Sequence, residues 1–191
     1  MIERHLTPTP GPAMHLAAQM SGHIPELETE RLNLRAPRLD DYSGFAEIVC
    51  TERGIYVDGP MSQEDAWYDF CSMASCWMLH GHGGWSVESK SDGTLKGFVI
   101  LGLEPGDHDV ELGFLFLAHA EGKGFAYEAA KAVRAWAFET LKLPQLHSYI
   151  DERNVRSIAL AKRLGAVDKT PLDWAGSGAR LFLHTNTEAN T

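Results

Sequence analysis

A strand-like run, a glycine turn and an amphipathic helix follow one another without interruption in Glu111-Leu-Gly-Phe-Leu-Phe-Leu-Ala-His-Ala-Glu-Gly-Lys-Gly-Phe-Ala-Tyr-Glu-Ala-Ala130. Gly122 and Gly124 allow the backbone to turn tightly and a ligand to approach it without side-chain clash. The unpaired N–H groups of the helix start point outward and attract negative charge. A pyrophosphate is the natural occupant of such a junction.

Two familiar phosphate loops do not match. A Walker loop requires Gly-x4-Gly-Lys-Ser/Thr, yet Leu117 stands at the first glycine position and Gly124 follows Lys123. The dinucleotide fingerprint requires a third glycine after a first strand, which Gly122-Lys-Gly-Phe-Ala-Tyr127 lacks deep in the chain. The Gly-x-Gly-x-Ala turn between Glu-Leu-Gly-Phe-Leu-Phe and Tyr-Glu-Ala-Ala instead resembles the acyl-CoA pyrophosphate loop of the GNAT acetyltransferases, and within them the RimJ/RimL-type branch.

A second segment, Asp151-Glu-Arg-Asn-Val-Arg-Ser-Ile-Ala-Leu-Ala-Lys-Arg-Leu-Gly-Ala166, follows the strand candidate Leu146–Ile150. It is similar to the Asn-x-x-Ser/Ala-x-x-Leu helix of the same family through Asn154, Ser157, Leu160 and Leu164-Gly165. The residues also read as plain helix punctuation, with Asn154 as N-cap, Gly165 as C-terminal stop, and Lys162 and Arg163 complementing the helix dipole. The resemblance extends over about residues 27 to 185. It implies a mixed, mostly antiparallel twisted α/β sheet of about six or seven strands flanked by helices and splayed between the fourth and fifth strands.

The organisation read from the residues agrees. Residues 1–26 form an arm with one or two helical turns near Met14–Met20; residues 27–185 form one domain; 186–191 are a tail. Leu27–Pro37 alternates like a first strand. Helices are expected over Tyr42–Glu52 and, from the capping-box-like Ser62-Gln-Glu-Asp65, to about Leu79. Strands over Gly84–Lys90, Thr94–Leu103 and His108–Leu117 make an antiparallel meander across two turn signals. A helix over Ala126–Leu141, a strand at Leu146–Ile150, a helix over Val155–Leu164 and strands near Ala166–Lys169 and Ala179–His184 complete a mixed α/β chain.

Composition narrows the function classes. The chain has 191 residues, 44% hydrophobic and 23% charged, as in an ordinary globular domain. It holds no apolar run of membrane-span length and no signal-peptide block at its start, which points to a cytoplasmic protein. The net charge of −9 with no basic patch argues against a nucleic-acid partner. Cys50, Cys71 and Cys76 are odd in number and unspaced for zinc, so reduced, buried thiols are expected and no metal. His80 and His82 are expected in a solvated loop. The sequence sets no oligomeric state.

The family resemblance implies acetyl-CoA as acyl donor and a primary amine of a protein N-terminus or small molecule as acceptor, joined by direct attack in a ternary complex. It places CoA against the backbone near Leu115, Phe116 and Leu117, the pyrophosphate on Gly122, Lys123, Gly124, Phe125, Ala126 and Tyr127, and the pantetheine arm on Asn154. Glu111 aligns with a carboxylate that serves relatives as general base, and is equally read as an exposed edge-strand glutamate. An α-amine with pKa ~7.8 is roughly a tenth neutral at pH 7, whereas a lysine amine is ~0.04% neutral, so an α-amine needs a base less. Many relatives carry a tyrosine as proton donor where Ala161 stands. Ser157 is the substitute donor, or else a helix serine packed on strand backbone. Glu121, beside the loop, is expected to face solvent. The acceptor region falls around Tyr56, Asp58, Trp67, Trp77 and Trp174, although aromatic residues at helical spacing are also core formers. The competing reading is a catalytically silent acyl-CoA-binding regulatory module.

Overall fold

A computed structural model describes residues 4–174 and 176–186. Eight strands form one sheet: β1 (Leu27–Glu28), β2 (Leu32–Arg35), β3 (Gly84–Ser89), β4 (Leu95–Gly102), β5 (Glu111–Phe116), β6 (Gln145–Asp151), β7 (Val167–Asp168) and β8 (Ala179–Thr185). Their order is β1-β2-β3-β4-β5-β6-β8-β7, and every neighbouring pair is antiparallel except β5 with β6. The expected first strand divides into the β1–β2 pair, which raises the count from seven to eight. The tail beyond Asn186 lies outside the described residues.

Five helices flank the sheet: α1 (Pro12–Ser21), α2 (Tyr42–Val49), α3 (Gln63–His80), α4 (Phe125–Glu139) and α5 (Val155–Arg163). Ser62 caps α3 by accepting the Asp65 N–H at 3.1 Å, as its spacing predicts. Under α4 the apolar stripe Ala129, Ala130, Val133 and Ala137 is fully buried against Leu112, Phe116 and Trp85. Phe138 of the same helix is buried too, with the Arg134 guanidinium 5.0 Å from its ring centre. On the opposite face α2 and α3 pack Phe45, Phe70 and Met73 against Phe98 and Leu117. Strand alternation divides β5 between the two faces: Leu112, Phe114 and Phe116 belong to the α4 side, Leu115 and Leu117 to the other.

The parallel pair is the exception. β5 and β6 share one registered pair, Glu111 with His147, and then diverge. Near that end His147 N–H donates to Val110 O at 3.0 Å, and Ser148 Oγ donates to Leu112 O at 2.7 Å. Farther along, Arg53 Nη2 occupies the Phe116 carbonyl at 2.8 Å, where a longer β6 would pair.

Three local expectations change. The arm is more structured than one or two turns: α1 has ten residues, and His5 packs edge-on to Trp67 with ring centres 4.7 Å apart. His82 is buried, its Nδ1 2.8 Å from Leu101 O, because the strand beside it needs that carbonyl satisfied; His80 remains exposed. Cys50, Cys71 and Cys76 are free thiols but only half-buried. Among the described residues no helix is long and apolar enough to cross a membrane, and no group of three or more His, Cys, Asp or Glu side chains could hold a metal.

One buried ion pair pins β2 to the start of α2. Both nitrogens at the tip of the Arg35 guanidinium donate to Asp41, at 2.7 and 2.9 Å, and Asp41 also accepts from Ser86 Oγ and the Arg38 N–H. Burial opposes the Asp41 charge, but these hydrogen bonds outweigh it and hold the carboxyl below its usual range. Replacing Asp41 by Asn leaves the buried guanidinium with Glu88, at 2.9 Å from its Nε, as its remaining counter-charge, and we expect a loss of roughly 2–4 kcal/mol, read as a lower urea midpoint at pH 7. Because the Asp41 contribution is present above the unfolded pKa and disappears as pH falls through the lower folded one, the gap between variant and wild type closes in strong acid.

Candidate active site

The glycine turn is built as the letters require. Gly122 and Gly124 have φ of 71° and 80°, and Gly124 is the left-handed N-cap of α4. A side chain is strained at either position. Behind the turn Arg31 acts as a brace: its guanidinium donates to Lys123 O at 3.0 Å and to Glu128 at 2.7 Å, and lies 4.6 Å from the Phe125 ring centre. Burial disfavours the Glu128 charge, but hydrogen bonds from Thr29 Oγ1, Arg31 N–H and Arg31 Nε prevail and hold its carboxyl below the usual range. The first-turn carboxylate is thus engaged with Arg31 beside a helix end that attracts anions.

The turn opens on a cleft of about 590 Å3. Gly122, Gly124, Phe125, Ala126 and Tyr127 line one end, Asn154, Ser157 and Leu160 of α5 the facing side, and Leu115 and Phe116 the floor. Two expected members lie outside it. Lys123 is exposed and does not line the cleft. Leu117 is buried in the α2–α3 core, and its N–H donates to Lys96 O at 2.9 Å.

That bond fixes which backbone groups face the gap. Odd-numbered residues at this end of β5 direct their main-chain groups to β4, and Val110 O, Leu112 O and Phe116 O face the other way. Strand alternation then turns the main-chain groups of Phe114, with those of Phe116, toward the opening. Of the three expected positions, Leu115 and Phe116 line the cleft and Phe116 turns its main-chain groups toward the opening.

Glu121 corrects a further expectation. It lines the cleft instead of turning to solvent, and bridges Arg53, at 2.5 Å, and Arg156. The two guanidiniums neutralise it and stand at the cleft wall themselves, with Arg163 stacked on Tyr127 at 3.9 Å. These three arginines were missed by motif reading because they are scattered over 110 residues and carry no spacing signal.

A second cavity of about 510 Å3 adjoins the first. Tyr56, Val57, Phe114, Leu115, Asn154 and Ser157 line both. Asn154 caps α5, its Oδ1 accepting the Ser157 N–H at 3.1 Å, and still faces the cavities. The Ser157 hydroxyl has no hydrogen-bond partner among the described residues. Ala161, by contrast, is fully buried against Ile150, Ile158 and Phe182 and lines neither cavity.

Glu111 lies in the second cavity, not on an exposed edge. Its Oε1 accepts the Tyr149 N–H at 3.3 Å. Burial pushes its carboxyl up to about 7, the nearby charges of Asp107, Glu104 and Asp58 adding to the shift against the Tyr149 bond. Of the expected acceptor residues Tyr56 and Asp58 line this cavity, whereas Trp67 packs on Tyr42 and His5, Trp77 on Trp85 and Trp136, and Trp174 on Tyr149.

A family model described as "Acetyltransferase (GNAT) domain" matches residues 31–167. An uncharacterized N-acetyltransferase of Bacillus subtilis, YnaD, is 26% identical over 145 residues, 73% of this chain and 81% of that protein. The crystal structure of an acetyltransferase from Agrobacterium tumefaciens is 33% identical and superimposes with a TM-score of 0.80 over 85% of this chain and 95% of that one. The fold is also that of RimL, a ribosomal L7/L12 alpha-N-protein acetyltransferase in complex with coenzyme A, with 14% identity and a TM-score of 0.68 over 84% of this chain and 98% of that one.

The Glu111 shift has a stability consequence. Between its ordinary value of 4.5 and about 7 the native state holds the proton more tightly than the unfolded chain, so stability falls as pH rises through that window. Glu111→Gln is therefore expected to raise the melting temperature over wild type at pH 8 and by much less at pH 5. An equal change at both pH values would show that ionisation at this position is not the cause.

Proposed function

The chain belongs to the GNAT acetyltransferase family, and from that premise we propose that the glycine-turn cleft holds acetyl-CoA, that the adjoining cavity receives a primary amine, and that the two react directly in a ternary complex. The protein is an acetyl-CoA-dependent N-acyltransferase. Residues 27–185 act in this reading as one catalytic unit, with 1–26 an arm and 186–191 a tail. The acceptor is an amine of a protein N-terminus or a small molecule.

The observation that carries the reading is the junction. Two cavities of about 590 and 510 Å3 meet at Phe114, Leu115, Asn154, Ser157 and Tyr56. A donor entering from the glycine turn and an amine entering from the Glu111 side would come together there. The cleft suits CoA on its own terms: positive-φ glycines open a helix N-terminus for pyrophosphate, Arg53, Arg156 and Arg163 supply positive charge, and Asn154 lines the cleft on the facing side with its side-chain amide available to a pantetheine arm. That RimL, of the same fold, is described in complex with coenzyme A supports this use of the cleft.

Acetyl-CoA supplies the thioester whose carbonyl carbon takes the new C–N bond while the C–S bond breaks. The chain's residues manage position and protons. Main-chain N–H groups at the opened edge of β5, turned toward the junction at Phe114 and Phe116, polarise the carbonyl oxygen. Glu111 removes the amine proton through water; a carboxyl held at about 7 is matched to that task near neutral pH. Ser157, its hydroxyl without a partner among the described residues, returns a proton to the departing thiolate. Tyr56 is the other hydroxyl at the junction.

Following free thiol during incubation of acetyl-CoA with a panel of amines and N-terminal peptides tests the assignment; CoA binding with no turnover on the whole panel would sink it. Gly124→Glu is expected to abolish both the CoA-induced thermal shift and turnover. Ser157→Ala is expected to lower kcat about 10–100-fold with little change in KM for acetyl-CoA, and the same loss in Tyr56→Phe instead would transfer the role. The base must be ionised to act, so kcat/KM is expected to rise with pH through about 7, and Glu111→Gln to lose that limb.

A further inference from the structure

The second cavity has a lining of uneven charge. Asp58, Asp69, Glu104, Asp107 and Glu111 all border it, and none of its lining residues is Lys, Arg or His. Basic residues are confined to the neighbouring cleft, where Arg53, Arg156 and Arg163 stand. Elsewhere in the molecule half-buried carboxylates find cations: Asp41 with Arg35, Glu121 with Arg53 and Arg156, Glu128 with Arg31, Asp168 with Arg180. Of the five at the cavity, Asp69, Asp107 and Glu111 are half-buried and Asp58 and Glu104 are exposed, and none has an ion pair to any described residue. Asp69, half-buried on α3, has no hydrogen-bond partner there either.

Gathering like charges in a partly buried space costs free energy that a cationic occupant recovers. A metal does not answer the need, because no three carboxylates are grouped closely enough to hold one among the described residues. The rest of the wall decides what kind of organic cation fits. Phe45, Val49, Met61, Met73, Ile100 and Leu103 are apolar, which suits methylene groups and leaves hydroxyl-rich amines without partners.

We propose that the acceptor is an aliphatic diamine or polyamine, whose reacting nitrogen sits at the junction beside Glu111 and Ser157 while a second ammonium group is received by Asp69 and the carboxylates around it. This rests on the second cavity being the acceptor site. One nitrogen must lose its charge to react, and the other keeps it; the lining serves both. Glu111 is the deeper carboxylate beside β6, held at about 7, and Asp69 is lifted to about 6 by burial and by the charges of Glu104 and Asp58, as expected of groups that converge without a protein counter-ion.

The test compares pentylamine with cadaverine, equal in carbon count and differing by one ammonium, alongside spermidine and an N-terminal peptide. Thiol release is followed at fixed acetyl-CoA, and CoA binding is measured separately by calorimetry. Cadaverine and spermidine are expected to exceed pentylamine in kcat/KM by about tenfold or more, chiefly through KM. Asp69→Asn is expected to collapse that ratio toward one, and Asp69→Glu to retain most of it. Equal rates for monoamine and diamine, a peptide preferred over both, or a ratio untouched by Asp69→Asn would overturn the proposal while leaving the acyltransferase site standing. CoA binding with no turnover on any amine would overturn the site itself, and the proposal with it.

Discussion

The lapse of pairing between β5 and β6 is the constraint on which the molecule turns. Two parallel strands that start together at Glu111 and His147 would ordinarily continue side by side, since each unpaired main-chain group carries a cost. Here the strands part after one registered pair, and the cost is met by substitutes: Ser148 on Leu112 O, Arg53 on Phe116 O. The opening becomes the place where both cavities meet. Helix α4 crosses between the two strands, so the glycine turn at its start is carried to one side of the gap. Helix α5, which follows β6, is carried to the other with Asn154 and Ser157. One topological decision thus assembles groups that are far apart in sequence.

The same gap separates charge. On the glycine-turn side, arginines from three places in the chain surround Glu121 and the helix N-terminus. On the other, Asp69 of α3, Asp58 before it, Glu104 and Asp107 of the loop before β5, and Glu111 of β5 border one cavity with no Lys, Arg or His among its lining residues. In a medium less polar than water such an arrangement raises carboxyl pKa values, and Glu111 and Asp69 respond accordingly. An anionic donor and a cationic acceptor would each meet the opposite sign on its own side of the junction. The protein's net charge of −9 carries no hint of this division, because a sum over the chain discards position.

Much of the fold was legible because its signals are local. Ser62 caps the helix its spacing announces, the β5 alternation sorts Leu112 from Leu115, and Gly122 and Gly124 adopt the backbone angles only glycine takes easily. Misreadings came where a distant group intervened. A carboxylate beside an anion site is expected in solvent, but Arg53 and Arg156, 68 and 35 residues away, neutralise Glu121. His82 sits in a glycine-rich loop that reads as exposed, yet Leu101 O draws it inward. The first strand splits because the chain turns between Glu28 and Leu32, where Thr29 ties its hydroxyl to Glu128 across the molecule.

By itself the sequence determined most of the elements, their order, the glycine turn and the family, all of which depend on contacts within a few residues or on patterns that recur as a block. Tertiary structure alone decided which backbone groups of β5 face the gap, that the Ser157 hydroxyl has no partner among the described residues while Ala161 is buried, and that Asp58, Asp69, Glu104, Asp107 and Glu111 border one cavity. The physical reason is that electrostatics and cavity shape depend on distances through space, and those are set only once the sheet has formed and opened.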